Sequence, residues 1–228
     1  MTKTTTSTKR KRIGVMCSGK GTNFENIVMT CNKHEVVLMI HDKKECGAQK
    51  KAAKWGIPHI RVKHDREDEM IHLFRAWNVD LIVLAGYMRI LKRPSDFHCP
   101  IINVHPSLLP KYKGLHAVEQ ALDSNDTVTG CTVHYVNEEL DGGKIIKQAE
   151  VPILPDDSVE TLTRRIQLME YAIVPQVIDD YETPISKGEG PTLSAVGARP
   201  TDREQEYTPR GHRVSEHGGG WRRLDYGS

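Results

Sequence analysis

The chain has 228 residues, 38% hydrophobic and 6% aromatic, with a formal net charge of +2, which suits one α/β domain of ordinary size with material to spare. No run approaches the roughly 20 apolar residues of a membrane span, and Met1 to Arg12 lack the apolar segment of a secretory signal, so a soluble, cytoplasmic protein with no membrane partner is expected. Residues 1–12 carry +5 and residues 184–228 carry +1, leaving 13–183 at −4, a balance that speaks against a nucleic-acid partner for the body.

Residues 1–11, with Lys3, Lys9, Arg10 and Lys11, read as a basic, disordered leader. Arg12 to Cys17 is a short apolar run ending in Ser18-Gly-Lys-Gly-Thr-Asn23, after which Phe24, Ile27, Val28 and Cys31 recur at helical spacing. This is strand, glycine loop, helix. Glu35 to Ile40 predicts a second strand and residues 44–55 a helix stopped by Gly56, which is well placed as a cap. Pro58 to Val62 reads as a short third strand. Asp65 to Trp77 carries Met70, Leu73, Phe74 and Trp77 at intervals of three and four, an amphipathic helix. Val79 to Ala85 is nearly all apolar, as in a central strand covered on both faces. Alternation of strand and helix makes the first hundred residues a doubly wound parallel sheet.

Ile101 to Val104 supplies the next parallel strand. Leu115 to Leu122 is expected to be helical, Thr129 to Val136 a strand, Glu138 to Gly143 a turn and Lys144 to Val151 another strand. Two strands joined by Asp-Gly-Gly argue for an antiparallel addition in the C-terminal half. Residues 158–181 predict a long helix, with Leu162, Ile166, Met169 and Ile173 on one face and a kink at Pro175. Residues 184–228 hold eight glycines and four prolines with no sustained apolar period, the composition of a disordered tail. The fold class is therefore α/β: a doubly wound, mostly parallel, Rossmann-like sheet with an antiparallel addition, occupying residues 12–183.

Chemistry concentrates in Ile101-Ile-Asn-Val-His-Pro-Ser-Leu-Leu-Pro110. Period-two alternation puts Asn103 and His105 on one side where the strand gives way to loop, the place where open α/β sheets bind ligands. An amide donor beside an imidazole suits group transfer through an oxyanion. A buried, mutually satisfied polar pair fits those two residues equally well. Gly19, Lys20, Gly21, Thr22 and Asn23 offer backbone N–H groups, hydroxyl, amide and cation at a helix N-terminus, a recipe for phosphate, although the spacing is neither the dinucleotide fingerprint nor a Walker A loop. Asp141, in Glu139-Leu-Asp-Gly-Gly143, lies on a loop able to fold over the strand end and orient His105. Ser107 lacks the setting of a nucleophile elbow. The spacing of His105, His116, His134 and Asp141 matches no compact zinc motif. The five cysteines are odd in number and never form a Cys-x-x-Cys pair. No metal is expected.

Five stretches, Ser18 to Asn23, Leu84-Ala-Gly-Tyr-Met-Arg-Ile-Leu91, Asn103 to Tyr112, Val133-His-Tyr-Val136 and Leu140-Asp-Gly-Gly143, resemble the motifs of the phosphoribosylglycinamide formyltransferase family, in order and spacing, across about residues 12–182. The resemblance implies transfer of a formyl group from 10-formyltetrahydrofolate, the co-substrate, to the primary amine of phosphoribosylglycinamide in purine synthesis, by a monomer or homodimer. By motif, Asn103 would hydrogen-bond the formyl oxygen, His105 would stabilise its charge and assist proton transfer, and Asp141 would hold His105 and a relaying water. Gly19, Lys20, Gly21, Thr22, Asn23 and Glu170 would hold phosphate and ribose. Met88, Arg89, Ile90, Leu91, Val136, Asn137, Leu140 and Asp141 would form the folate pocket, with Arg89 meeting the folate's glutamate carboxylate. Three positions depart from the family pattern: Lys20 in the glycine loop, His41-Asp42-Lys43 in place of a Ser-Asn pair, and Lys113 in place of proline. A formyltransferase acting on another amine, such as an amino-sugar nucleotide, and a non-catalytic folate- or nucleotide-binding module are the alternatives.

Overall fold

The computed structural model describes residues 10–181; the basic leader and the Gly-rich residues 184–228 lie outside the described residues almost entirely. The elements run β1 (Arg12–Cys17), α1 (Thr22–Thr30), β2 (Glu35–His41), α2 (Gly47–Lys54), β3 (His59–Arg61), α3 (Glu67–Ala76), β4 (Leu81–Leu84), β5 (Ile101–His105), α4 (Ala117–Leu122), β6 (Val128–Tyr135), β7 (Ile145–Pro152) and α5 (Val159–Asp179), with a 3-10 turn at Pro94–Asp96. One seven-stranded sheet has the order β3-β2-β1-β4-β5-β6-β7. Strands β1 to β5 are parallel, and β6 and β7 join antiparallel. The chain winds outward from β1 to β3, then returns to place β4 on the other side of β1. That reversal opens a crevice at the carboxyl ends of β1 and β4, where ligands bind in such sheets.

Alternation along β1 explains why both faces are covered. Ile13, Val15 and Cys17 join one core, with Phe24 and Ile27 of α1 and Leu162, Ile166 and Ile173 of α5. Met16 joins the other, with Met70 and Phe74 of α3. Gly14 lies directly beneath Phe74: a Cβ there would stand 2.5 Å from the ring, so the helix sits as close as it does because that position is bare. Trimming Phe74 to alanine would cost about 3–5 kcal/mol by the usual cavity rule.

Helix ends follow from local chemistry. After α2, Gly56 takes φ +65°; its N–H reaches the Ala53 carbonyl and the Ile57 N–H reaches that of Ala52, a Schellman closure that realises the expected cap. Helix α5 begins at the Ser158–Thr161 capping box, worth about 1 kcal/mol, and runs without interruption across buried Pro175. Element ends shift by up to three residues, and two helix starts have a clear local cause. Helix α2 starts at Gly47, three residues after the predicted 44, because Cys46 is still extended. Helix α4 starts at Ala117, two residues after the predicted Leu115, because Gly114 and His116 both take positive φ, and a left-handed residue cannot sit inside a right-handed helix.

Candidate active site

The glycine loop is set by close backbone packing. Gly21 takes φ +68° and a Cβ on it would meet Ala48 Cα at 2.5 Å, while a Cβ on Gly47 would meet the Lys20 carbonyl at 2.6 Å. The N-terminus of α2 therefore rests on the loop that opens α1, and Ala48 N–H donates to the Gly19 carbonyl at 3.1 Å. Ser18 is buried and stitches the crevice shut from below. Its N–H donates to the Gly86 carbonyl, and its Oγ accepts from Met88 N–H at 3.0 Å.

At the floor of this region Asn23 Nδ2 donates to Glu170 Oε2 at 2.8 Å. Glu170 is buried on α5, and burial pushes its carboxyl above the ordinary range, with the Asn23 bond pulling the other way. Asn23 Oδ1 is buried with no hydrogen-bond donor among the described residues. A buried acceptor left open beside a ligand loop marks a place where a donor fits.

The second cluster stands at the end of β5. Register places Asn103 opposite Leu84 of β4 on one side and His134 of β6 on the other. Asp141 Oδ2 lies 3.3 Å from His105 Nδ1, and Asp141 Oδ1 lies 3.4 Å from Asn103 Nδ2 and 3.5 Å from His134 Nε2. Asp141 Oδ2 also accepts the Gly114 N–H at 2.8 Å. His105 Nε2 donates to the Tyr112 carbonyl at 2.7 Å. Both neighbours of the His105 ring, the Asp141 carboxylate and the Tyr112 carbonyl, are acceptors. Burial works to raise the Asp141 pKa, but the His134 ring, the Gly114 N–H and the charge on His105 outweigh it and hold the carboxyl below its usual range.

Asp141 reaches this position with φ +48°, and Tyr112 and His116 also take positive φ. Such backbone costs about 1–3 kcal/mol per residue and persists where surrounding contacts over-determine it. The loop after β5 is held by Tyr112 Oη on Asp126 Oδ2 at 2.6 Å and by the Ser107 hydroxyl donating to the Lys111 carbonyl at 2.6 Å. Lys113, the residue in place of proline, pairs with Glu139 at 2.7 Å, tying this loop to the one that carries Asp141.

The expected site residues thus fall into three groups. Asn103, His105 and Asp141 meet within hydrogen-bond reach. Gly19 to Asn23 and Glu170 form the second group, linked through Asn23. The folate set divides: Met88, Ile90 and Leu140 are exposed, whereas Leu91 is buried in the core with Ile82 and Phe97. Arg89 Nε donates to Asp42 Oδ2 at 2.8 Å. Asp42 is one of the residues that departs from the family pattern, and its buried carboxylate draws the guanidinium toward β2. Val136 N–H is spent on the Ile101 carbonyl, and Asn137 Oδ1 accepts from Glu139 N–H, so these two residues shape the Asp141 loop. The sequence set His134 on a strand, among residues of metal-ligand type whose spacing matches no zinc motif and within one of the stretches that resemble the family, but gave it no role in the site. Its alternation along β6 put it on one face, but only the β5–β6 register shows that the face is Asn103's. Among the described residues no group of three His, Cys, Asp or Glu side chains is placed to hold a metal, and no helix is long and apolar enough to cross a membrane.

A doubly wound sheet with an amide, an imidazole and a carboxylate gathered beside its crevice is built for acyl-type group transfer. The formyl transferase family model matches residues 11–178, and the chain belongs to that family. The phosphoribosylglycinamide formyltransferase of Haemophilus influenzae is 40% identical over 187 residues, covering 74% of this chain and 85% of that protein. The trifunctional purine biosynthetic protein adenosine-3 of Drosophila pseudoobscura pseudoobscura is 43% identical over 187 residues, but the chain spans only 14% of its length. Among solved structures, the phosphoribosylglycinamide formyltransferase of Anaplasma phagocytophilum superposes with a TM-score of 0.72 at 39% identity, covering 75% of this chain and 86% of that one. Within the family, this is the phosphoribosylglycinamide formyltransferase branch.

Proposed function

We propose that the chain transfers the formyl group of 10-formyltetrahydrofolate to the primary amine of phosphoribosylglycinamide, as the name of its relatives describes, and that residues 12–183 carry the activity. The observation that supports this most directly is the convergence of Asn103, His105 and Asp141 at the end of β5, alongside the crevice that carries the glycine loop after β1. The phosphate would rest on the N–H groups of Gly19 to Asn23, with the Lys20 ammonium adding charge. Glu170 and Asn23 would take the ribose side, the open Asn23 Oδ1 accepting a substrate N–H or O–H. The exposed apolar side chains of Met88, Ile90 and Leu140 would pack on the pterin, and the Nη ends of Arg89 would meet the glutamate carboxylate while Nε stays on Asp42.

Chemistry follows from these placements. The neutral amine attacks the formyl carbon, a C–N bond forms, and the carbonyl oxygen becomes an oxyanion. An N–H of Asn103 and the His105 ring stabilise it, His105 also assisting proton transfer. The amine loses one proton, relayed through Asp141 and a water, and the departing folate nitrogen gains one as its C–N bond breaks. No covalent enzyme intermediate is needed, so holding two substrates in contact supplies much of the rate.

Purified protein mixed with 10-formyltetrahydrofolate and phosphoribosylglycinamide should consume the formyl donor only when the acceptor is present. Consumption driven by an amino-sugar nucleotide, and not by phosphoribosylglycinamide, would overturn the assignment of acceptor; consumption with neither would overturn the transferase reading. Removing residues 184–228 should leave the rate largely unchanged.

A further inference from the structure

Glu67 opens α3, and the transfer chemistry above makes no use of it. It is 6% exposed, although an acidic side chain in the first turn of a helix can answer the helix dipole from solvent, without being buried. Both of its oxygens are given to another part of the chain. Oε1 accepts the Lys92 N–H at 2.7 Å, and Oε2 accepts the Arg93 N–H at 3.0 Å. Among the described residues no cation pairs with it: the Arg93 guanidinium turns to Asp68 and Asp96, and Arg66 turns to Glu69. The buried carboxylate thus serves two adjacent peptide groups, through charge-assisted hydrogen bonds.

Those peptide groups close the segment that leaves β4. At its start the Gly86 carbonyl accepts the Ser18 N–H, and the Met88 N–H donates to Ser18 Oγ. In its middle Arg89 Nε donates to Asp42, and Leu91 is buried in the core. Glu67 holds the far end. Between these anchors Met88 and Ile90 stand 62% and 68% exposed, and on a loose segment such apolar side chains would collapse onto the nearest apolar surface. The anchors keep them presented.

We infer that Glu67 is a positioning residue for the formyl donor: by fixing the Lys92 and Arg93 peptide groups it holds Met88, Arg89 and Ile90 in the arrangement that the donor meets. This role rests on the reading of Met88 to Leu91 as part of the donor's pocket. Its effect belongs to donor affinity. A segment left loose before binding has to be ordered by the donor, and the cost of that ordering is subtracted from the affinity. Once the donor is bound, the groups at the end of β5 face it as before, so kcat is spared. The acceptor, held at the glycine loop, is indifferent to the change.

Glu67→Gln keeps the volume and one acceptor but turns an NH2 group toward one of the two N–H groups. It should raise KM for 10-formyltetrahydrofolate by about 10-fold, with kcat and KM for phosphoribosylglycinamide within about threefold. Glu67→Ala removes both acceptors and should raise the donor KM by about 100-fold; if that variant fails to fold, Glu67→Gln decides. A carboxylate that served only the stability of α3 would lower the melting temperature and the active fraction while leaving both KM values alone, and that result would overturn the inference. Hydrogen exchange of the full chain tests the same point without turnover. In Glu67→Gln the amides of residues 86–93 should exchange about 10-fold faster than in wild type, those of residues 22–30 should be unchanged, and added 10-formyltetrahydrofolate should restore the protection. Unchanged exchange at residues 86–93 would overturn the inference, whereas absence of turnover in the wild type would count against the transferase reading instead.

Discussion

The glycine-loop end of the crevice and the β5 end are built from opposite materials. At the glycine loop the parts are backbone: Gly21 against Ala48, Gly47 against the Lys20 carbonyl, and Ser18 tying β1 to β4. At the end of β5 the parts are side chains that hold one another, with Asp141 contacting Asn103, His105 and His134 at once. A backbone site tolerates changes of side-chain chemistry, such as Lys20, but not added bulk. A side-chain site tolerates little change of chemistry even when volume is kept.

The largest effect should come from changing chemistry at constant size. Asp141→Asn replaces the acceptor shared by three groups with an amide and should lower turnover by roughly two orders of magnitude or more, as should Asn103→Ala. Steady-state rates decide this, and near-wild-type turnover in either variant would mean the roles are misassigned. Next comes bulk at the other end. Gly21→Val forces a branched residue to φ +68° with Ala48 Cα in the way; thermal and denaturant unfolding should show a loss of about 1–3 kcal/mol, with KM for the phosphorylated acceptor raised at least as much as kcat is lowered. A variant that folds normally with unchanged KM would separate the loop from the acceptor.

Glu170 sharpens the comparison, being the one buried carboxyl at the glycine-loop end whose pKa is raised by burial. A carboxyl raised on folding leaves the native state most stable when protonated. The penalty for ionising it grows as pH climbs from the unfolded value of 4.5 through the raised folded value, and stays in full above that. Glu170→Gln should therefore melt higher than wild type at pH 8, with the advantage fading toward pH 4, while binding the acceptor more weakly. Equal melting temperatures at pH 8 would contradict the burial argument. Asp141 has the opposite sign. Its lowered pKa adds stability above the ordinary carboxylate range, lost as acid protonates it.

The smallest effect belongs to the exposed strap between the two loops of the β5 end. Lys113 is about a third exposed and Glu139 two-thirds exposed, so Lys113→Ala should change stability by no more than about 1 kcal/mol. Unfolding measured at low and high salt should show the difference between Lys113→Ala and wild type shrinking as salt screens the exposed pair.

Periodicity alone carried the parallel half of the fold. The apolar runs of β1, β2 and β4, the 3–4 spacing in α3 and the Gly56 cap are local signals that burial and backbone geometry must honour wherever the strands end up. The hairpin formed by β6 and β7 was legible for the same reason. Within the β5 motif, alternation foretold that Asn103 and His105 share a side, and the Asp-Gly-Gly turn marked Asp141 as a residue able to fold back.

Tertiary structure decided what stands opposite what. No spacing in the sequence reveals that β6 pairs with β5 in the register that sets His134 against Asn103, because strand register depends on contacts 31 residues apart. Nor does it reveal that the Asp42 carboxylate captures Arg89 across 47 residues, or that Tyr112, His116 and Asp141 are bent into positive φ by the loops they join. A sequence states which groups are available and which face of an element they occupy. Which two faces meet is settled only when the whole sheet closes, since the gain from pairing is then large enough to override the local preference of each residue.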